Sequence, residues 1–197
     1  MSAIPSLTPG DALLLVDVQN DFLPGGALAV PGGDAILQPL NHYLFLVQEH
    51  RLPIFATRDW HPANHCSFKE FGGTWPVHCV AGTPGAAFAT ALDLPCAATI
   101  VSKATSPAVD AYSGFAGTDL DRRLRQHAIQ RLLIGGLATD YCVLGTVRDA
   151  LGLGYQVLLL TDAIAAVNLH PGDGERALAA MTHLGARPIT LTDLGHG

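Results

Sequence analysis

Three side chains carry the first sign of chemistry. Cys142 follows Gly135-Gly136-Leu137-Ala138-Thr139-Asp140-Tyr141 and falls in the first turn of an expected helix. A helix N-terminus stabilises a thiolate, and its backbone N–H groups can hold an oxyanion. Asp17 ends an apolar run and opens Asp17-Val18-Gln19-Asn20-Asp21-Phe22. A carboxylate at a partly buried strand end can serve as a general base. Lys103 directly follows Ile100-Val101-Ser102, where the chain leaves an expected strand. An ammonium there can orient Asp17 and keep it ionised. Cysteine, aspartate and lysine together supply a nucleophile, a base and an orienting charge without histidine.

A second set suits a metal. Asp59-Trp60-His61-Pro62-Ala63-Asn64-His65 offers three O/N ligands within seven positions, and His78 follows Trp75-Pro76-Val77. Aspartate with two or three histidines fits a divalent transition metal with positions left open. Pro62 works against a helix across His61 and His65, so their i,i+4 spacing carries no weight. Singly, each residue has a plainer role: structural cysteine, turn aspartate, solvated lysine, loop histidine. Cys66 and Cys79 flank the histidines and would be soft ligands for zinc, with buried filler as their default role. Phe22 and Trp75 offer flat surfaces for an aromatic ligand, though core packing is the usual fate of such rings.

The elements that must position these residues follow from pattern. Short apolar runs at 12–16, 53–57, 99–101, 131–134, 157–160 and 188–191 read as strands covered on both faces. Helical spacing fills the gaps. One helix runs from a cap at Asp34 to about Glu49, with Ile36, Leu40, Tyr43, Leu44 and Val47 on one face. A second starts at Thr118 with Leu120, Leu124 and Ala128 inward. A third spans about 139–151 through Val143, Val147, Ala150 and Leu151. A fourth spans about 174–184 and ends at Gly185. This alternation predicts an α/β fold: one domain over 1–197, three layers (α/β/α), and a mainly parallel six-stranded sheet. A long Gly/Pro-rich insertion at about 58–98 carries the metal set, and 103–117 is a second turn-rich loop. Parallel sheets bind ligands at the carboxyl ends of their strands. That rim collects Asp17, Asp59, His61, Lys103, Asp140 and Cys142.

Composition excludes other classes. Of 197 residues, 49% are hydrophobic and 14% charged, against about 25% charged in typical domains, so the chain is not disordered. The net charge of −6, from 11 basic and 17 acidic residues with no basic cluster, argues against nucleic acid and anionic membranes. No apolar run approaches the roughly 20 residues of a membrane span. Residues 1–11 lack the basic and apolar regions of a secretory signal. A cytoplasmic protein is expected, with its four cysteines, none in a CxxC pair, reduced. The low charge content leaves a homo-oligomer open. The absence of GxGxxG after the first strand argues against a dinucleotide dehydrogenase.

With these residues in place, the chain resembles the nicotinamidases of the isochorismatase-like cysteine hydrolase superfamily. The resemblance rests on Leu15-Val16-Asp17-Val18-Gln19-Asn20-Asp21-Phe22, Thr57-Arg58-Asp59-Trp60-His61-Pro62-Ala63-Asn64-His65 and Thr74-Trp75-Pro76-Val77-His78-Cys79-Val80. It continues through Lys103-Ala104-Thr105, Ala111-Tyr112-Ser113-Gly114-Phe115 and Gly136-Leu137-Ala138-Thr139-Asp140-Tyr141-Cys142-Val143. The resemblance implies a Rossmann-like strand order. It implies Cys142 as nucleophile, Asp17 as general base and acid, and Lys103 as the partner orienting Asp17. It also implies one divalent metal (zinc, iron or manganese) on Asp59, His61 and His78, facing the pyridine nitrogen. His65 matches a position that ligates the metal in some members and lies beside it in others. Phe22, Trp75 and Tyr112 match ring-contacting positions, and Ala138 and Cys142 the oxyanion-hole amides. A cis peptide is expected at Ala138–Thr139. The implied substrate is nicotinamide, with pyrazinamide as an analogue, and the implied role is NAD salvage. Two alternatives remain: a metal-independent amide or carbamoyl hydrolase of the same superfamily, and a non-catalytic metal-binding protein on this fold.

Overall fold

β1 (Asp11–Val16) reads DALLLV and is buried at every position. Such a strand needs apolar cover on both faces. A computed structural model of the protein, describing residues 6–194, shows how it is obtained. Residues 1–5, part of the segment read as lacking a leader, and 195–197 lie outside the described residues. β1 sits inside a six-stranded sheet with β2 (Ile54–Asp59), β3 (Thr99–Lys103), β4 (Arg131–Leu137), β5 (Gln156–Ala165) and β6 (Arg187–Ile189), in the order 3-2-1-4-5-6. Every neighbouring pair is parallel.

Alternation along β1 divides the core. Leu13 and Leu15 pack with Leu40, Tyr43, Leu44 and Val47 of α1 (Leu37–Glu49). Ala12, Leu14 and Val16 pack with Leu120 and Leu124 of α2 (Leu120–Gln126), Val147 of α3 (Leu144–Gly152) and Met181 of α4 (Asp173–His183). These are the three layers expected from the sequence.

The insertion after β2 completes the α1 side. Among the described residues of 60–98 there is no α-helix, only a 3-10 turn at Lys69–Phe71. Its Cys79, Ala86, Ala89 and Leu92 join the cluster of Leu13 and Leu15. The segment therefore occupies the place of a crossover helix and shares the main core.

Several boundaries differ from the sequence expectations. β2, β3, β4 and β5 run further, to Asp59, Lys103, Leu137 and Ala165. Ladder hydrogen bonds ignore side-chain polarity, so strands continue past the last apolar residue. Asp59 and Lys103 are therefore final strand residues, and they are register partners. Asp34 makes no cap bond and lies in a 3-10 turn, Gly33–Ile36, that leads into α1. The Thr118 hydroxyl accepts the Leu120 N–H at 3.3 Å, with Asp119 at the N-cap position. Ala128 is exposed at φ +53°, past the end of α2. Leu151 is half-buried. Gly185, at φ +112°, ends α4 as expected and donates its N–H to the Thr182 carbonyl.

One glycine controls how closely β4 approaches β1. Gly136 faces Val16 across the ladder at φ +128°, and a Cβ there would stand 2.1 Å from the Val16 carbonyl oxygen. Gly136→Ala is expected to cost at least about 3 kcal/mol through strain and collision. Gly154→Ala, at φ +92° with open space around it, should cost only about 1–2 kcal/mol. Urea denaturation midpoints of the two variants check the contrast.

Candidate active site

In a 3-2-1-4-5-6 sheet the strand order reverses between β1 and β4, and a crevice opens at their carboxyl ends. Asp17 leaves β1 at φ +50° with its side chain fully buried. The Thr57 hydroxyl on β2 donates to Asp17 Oδ1 at 2.7 Å. Lys103 rises from the end of β3. Its Nζ donates to Asp59 Oδ1 at 2.5 Å, to the Ala111 carbonyl at 2.9 Å and to Cys142 Sγ at 3.4 Å. These use the three protons of an ammonium. Asp17 Oδ2 stands 3.0 Å from Nζ as an ion pair without a well-aligned hydrogen bond, so it keeps a lone pair. The Cys142 sulfur lies within 4.8 Å of an Asp17 carboxylate oxygen.

Cys142 lies in a π-helical turn, Thr139–Val143, ahead of α3. The cis peptide is Leu137–Ala138, one bond before the expected position, where β4 leaves the sheet.

Burial and charge compete throughout this cluster. Burial pushes the Asp17 carboxyl up, and Lys103 only partly opposes it. Burial acts the same way on Asp59, but Lys103 and His61 overturn it and hold Asp59 well below the usual carboxylate range. Lys103 goes up because its two carboxylates outweigh desolvation. Burial raises the Cys142 thiol far above its ordinary value, with Lys103 pulling against it. At rest Cys142 is therefore a thiol beside a buried carboxylate. The thiolate expected from the helix start is not favoured.

Asp59, His61 and His78 form the second cluster, all buried, with one ligand atom from each within 4.8 Å of the others. His61 Nδ1 faces the Ala104 carbonyl at 3.3 Å, and His78 Nδ1 faces the Pro76 carbonyl at 2.8 Å. Donation from Nδ1 fixes the tautomer and leaves the Nε2 lone pair for a metal. His61 Nε2 is buried without a hydrogen-bond partner, 3.6 Å from Asp59 Oδ2. An orphaned imidazole nitrogen beside an ionised carboxylate fits a divalent transition metal. His65 is not part of this triplet. Its Nδ1 meets the Ser67 hydroxyl at 2.7 Å and its Nε2 the Val109 carbonyl at 3.1 Å. With both nitrogens engaged, its ring packs 4.1 Å from that of His61, as a neighbour to the ligand set.

One pocket joins the two clusters. Phe22, Trp75, Tyr112, Ala138 and Cys142 line it together with Asp59, His61 and His78. Trp75 Nε1 donates to the Tyr112 hydroxyl at 3.1 Å, and Tyr112 is 42% exposed at the outer edge. The sequence reading missed Tyr141, whose ring lines the pocket 5.0 Å from Trp75. Its place next to Cys142 was the available signal. Thr57 was also missed. Asp140 was expected on the rim but turns away. Its carboxylate accepts the N–H groups of Val167 and Asn168 at 2.9 and 2.8 Å and pins the loop after β5.

Removing the buried ammonium would leave Asp17 and Asp59 facing each other unpaired. Lys103→Met is expected to destabilise the protein by about 3–5 kcal/mol, read as a lower urea midpoint at neutral pH.

Residues 11–193 match the isochorismatase domain family. The chain is 42% identical over 206 aligned residues to the nicotinamidase of Escherichia coli, covering 94% of this chain and 97% of that protein. It superimposes on the zinc complex of the Pyrococcus horikoshii pyrazinamidase with a TM-score of 0.89 and 51% identity, over 93% of this chain and 100% of the other. A protein from L. infantum in complex with nicotinate aligns with a TM-score of 0.87 and 33% identity, over 96% and 97% of the two chains.

Proposed function

The chain belongs to the isochorismatase domain family, and we propose that within it the protein is a nicotinamidase, a metal-dependent amidase that forms a cysteine thioester. The observation that carries this reading is the single pocket in which Cys142, the Asp59/His61/His78 triplet and the Phe22, Trp75, Tyr112 and Tyr141 rings meet. The curated nicotinamidase relative and the zinc-bound pyrazinamidase support the same assignment. The donor set at Asp59, His61 and His78 suits zinc, iron or manganese.

A flat heteroaromatic amide enters against Phe22 and Trp75 with its carboxamide toward Cys142. A divalent metal on Asp59, His61 and His78 would supply a Lewis acid that anchors the ring nitrogen. Asp17 takes the thiol proton as Sγ attacks the carboxamide carbon. Lys103 holds both groups in place. The Ala138 and Cys142 N–H groups receive the developing oxyanion, a role worth roughly 3–4 kcal/mol in other enzymes. Asp17 returns the proton to the departing ammonia. A water that gives its proton to Asp17 then attacks the thioester carbonyl, nicotinate leaves, and Sγ regains a proton. The role proposed with this activity is NAD salvage, by recycling of nicotinamide to nicotinate.

One domain over 1–197, acting on a small molecule without nucleic acid or membrane, completes the reading. No helix among the described residues is long and apolar enough to cross a membrane. The four cysteines are free, which suits a cytoplasmic setting. A homo-oligomer is compatible with the low charge content.

Ammonia release from nicotinamide tests the assignment. Activity is expected, falling on chelation and returning with zinc, iron or manganese. A metal-loaded protein inert on nicotinamide but active on a carbamoyl compound would move it to the related hydrolases. Cys142→Ala is expected to lower turnover by at least about 10³-fold with its metal content intact. Appreciable turnover by that variant would remove the covalent route.

A further inference from the structure

The segment that follows β1 does more than present Asp17. Gln19 is completely buried, and its amide makes three hydrogen bonds. Nε2 donates to the Asp59 carbonyl at 2.8 Å and to the Ala86 carbonyl at 2.9 Å, while Oε1 accepts the Asp59 N–H at 2.8 Å. Both main-chain groups of Asp59 are thus held by one side chain forty positions away in sequence. Two residues on, Asp21 Oδ2 accepts the Cys79 N–H at 2.7 Å, next to His78. Cys79 sits at φ +47°, so this bond fixes a turn that few residues adopt freely. The backbone completes the join: Asn20 N–H to the Ala87 carbonyl at 2.9 Å and Asp21 N–H to the Gly85 carbonyl at 3.0 Å. Glycine at 85 leaves room for the Asp21 carboxylate, which a Cβ there would displace.

We infer that Gln19 and Asp21 are positioning residues for the metal: they set its affinity by fixing the backbones of Asp59 and of the His78–Cys79 turn, without touching the metal. The physical need is specific. Asp59 and His78 arrive on unrelated parts of the chain, a strand end and an irregular insertion with no helix to stiffen it. A ligand set must be held to a few tenths of an ångström to bind well, and groups that orient ligands typically govern 10–100-fold in metal affinity. Neighbouring Asn20 provides the control. Its Nδ2 donates to the Pro84 carbonyl at 2.9 Å in an exposed contact with the same insertion, away from any ligand residue.

The inference rests on the assignment of Asp59, His61 and His78 as metal ligands. Its test is zinc affinity of the full chain by competition with a chromophoric chelator, with circular dichroism of the metal-free proteins alongside. Gln19→Met and Asp21→Ala are each expected to weaken zinc binding at least about tenfold, and Asn20→Ala by less than about twofold. Gln19→Asn keeps an uncharged amide but is one methylene too short to reach the Asp59 and Ala86 carbonyls together. It serves as the milder variant should Gln19→Met not fold, and the same tenfold loss is expected. Wild-type affinity in the Gln19 and Asp21 variants overturns the inference, as does an equal loss in Asn20→Ala. A wild-type protein that binds no zinc, iron or manganese overturns the ligand assignment instead.

Discussion

Lys103 places an ammonium where no solvent reaches, and that burial constrains everything around it. Taking a charge out of water costs several kcal/mol even after relaxation. Its ion pairs with Asp59 at 2.5 Å and Asp17 at 3.0 Å each return about 5–7 kcal/mol at an effective dielectric near 20. The two carboxylates repel across less than 4.8 Å, which takes back about 3–4 kcal/mol on the same scale. The cluster holds only while all three groups are present and close, so the ends of β1, β2 and β3 must be level. The Asp59–Lys103 register supplies that alignment directly. Two anions against one cation still leave a surplus negative charge in a dry place. The raised carboxyl of Asp17 is one outlet for it. A cation on Asp59, beside the orphaned His61 nitrogen, is the other. Lys103 therefore links the reacting end of the pocket to the ligand end through ordinary charge balance.

The topology explains why one crevice serves both clusters. Central β1 and β4 deliver Asp17 and Cys142 at the switch point, and the outer pair β2 and β3 deliver Asp59 and Lys103. A helix between β2 and β3 would cover the α1 side of the sheet and nothing more. The irregular segment in its place covers the same surface with Cys79, Ala86, Ala89 and Leu92 while leaving His61, Trp75 and His78 free to line the pocket. Giving up a helix forfeits its internal hydrogen bonds. The segment recovers them by pairing with the Asp17–Phe22 stretch and with the loop after β3.

The layers were legible because burial on both faces leaves near-continuous apolar runs, and because Leu40, Tyr43, Leu44 and Val47 repeat at helical spacing. The rim was legible for a related reason: polar residues directly after such runs have few positions open to them. What pattern could not show is where a strand stops, since Asp59 and Lys103 look like loop residues until the ladder is drawn. Ala128 matched the helical repeat of α2, yet the helix ends two positions earlier and Ala128 turns outward. Asp140 shows the same limit at the site. Its position in the sequence is that of a rim residue, but in the fold its carboxylate is occupied by the N–H groups of Val167 and Asn168. His65 is the subtler case, because spacing cannot reveal that Ser67 and Val109 already hold both of its nitrogens.

Cys142 illustrates how magnitude decides between two sound principles. A helix start favours a thiolate by roughly 0.3–1 kcal/mol when exposed and up to about 2 kcal/mol when partly buried. Full burial beside two carboxylates opposes it more strongly, and a single ammonium 3.4 Å away does not restore the balance. The site therefore stores its proton on sulfur, with an unpartnered Asp17 oxygen nearby that the proposed mechanism uses to receive it. A neutral thiol costs less to bury than a thiolate, which lets the pocket be dry and apolar enough for an aromatic amide. In the proposed reaction, charge appears on sulfur only as the bond to carbon forms, when the amides assigned to the oxyanion can take it up.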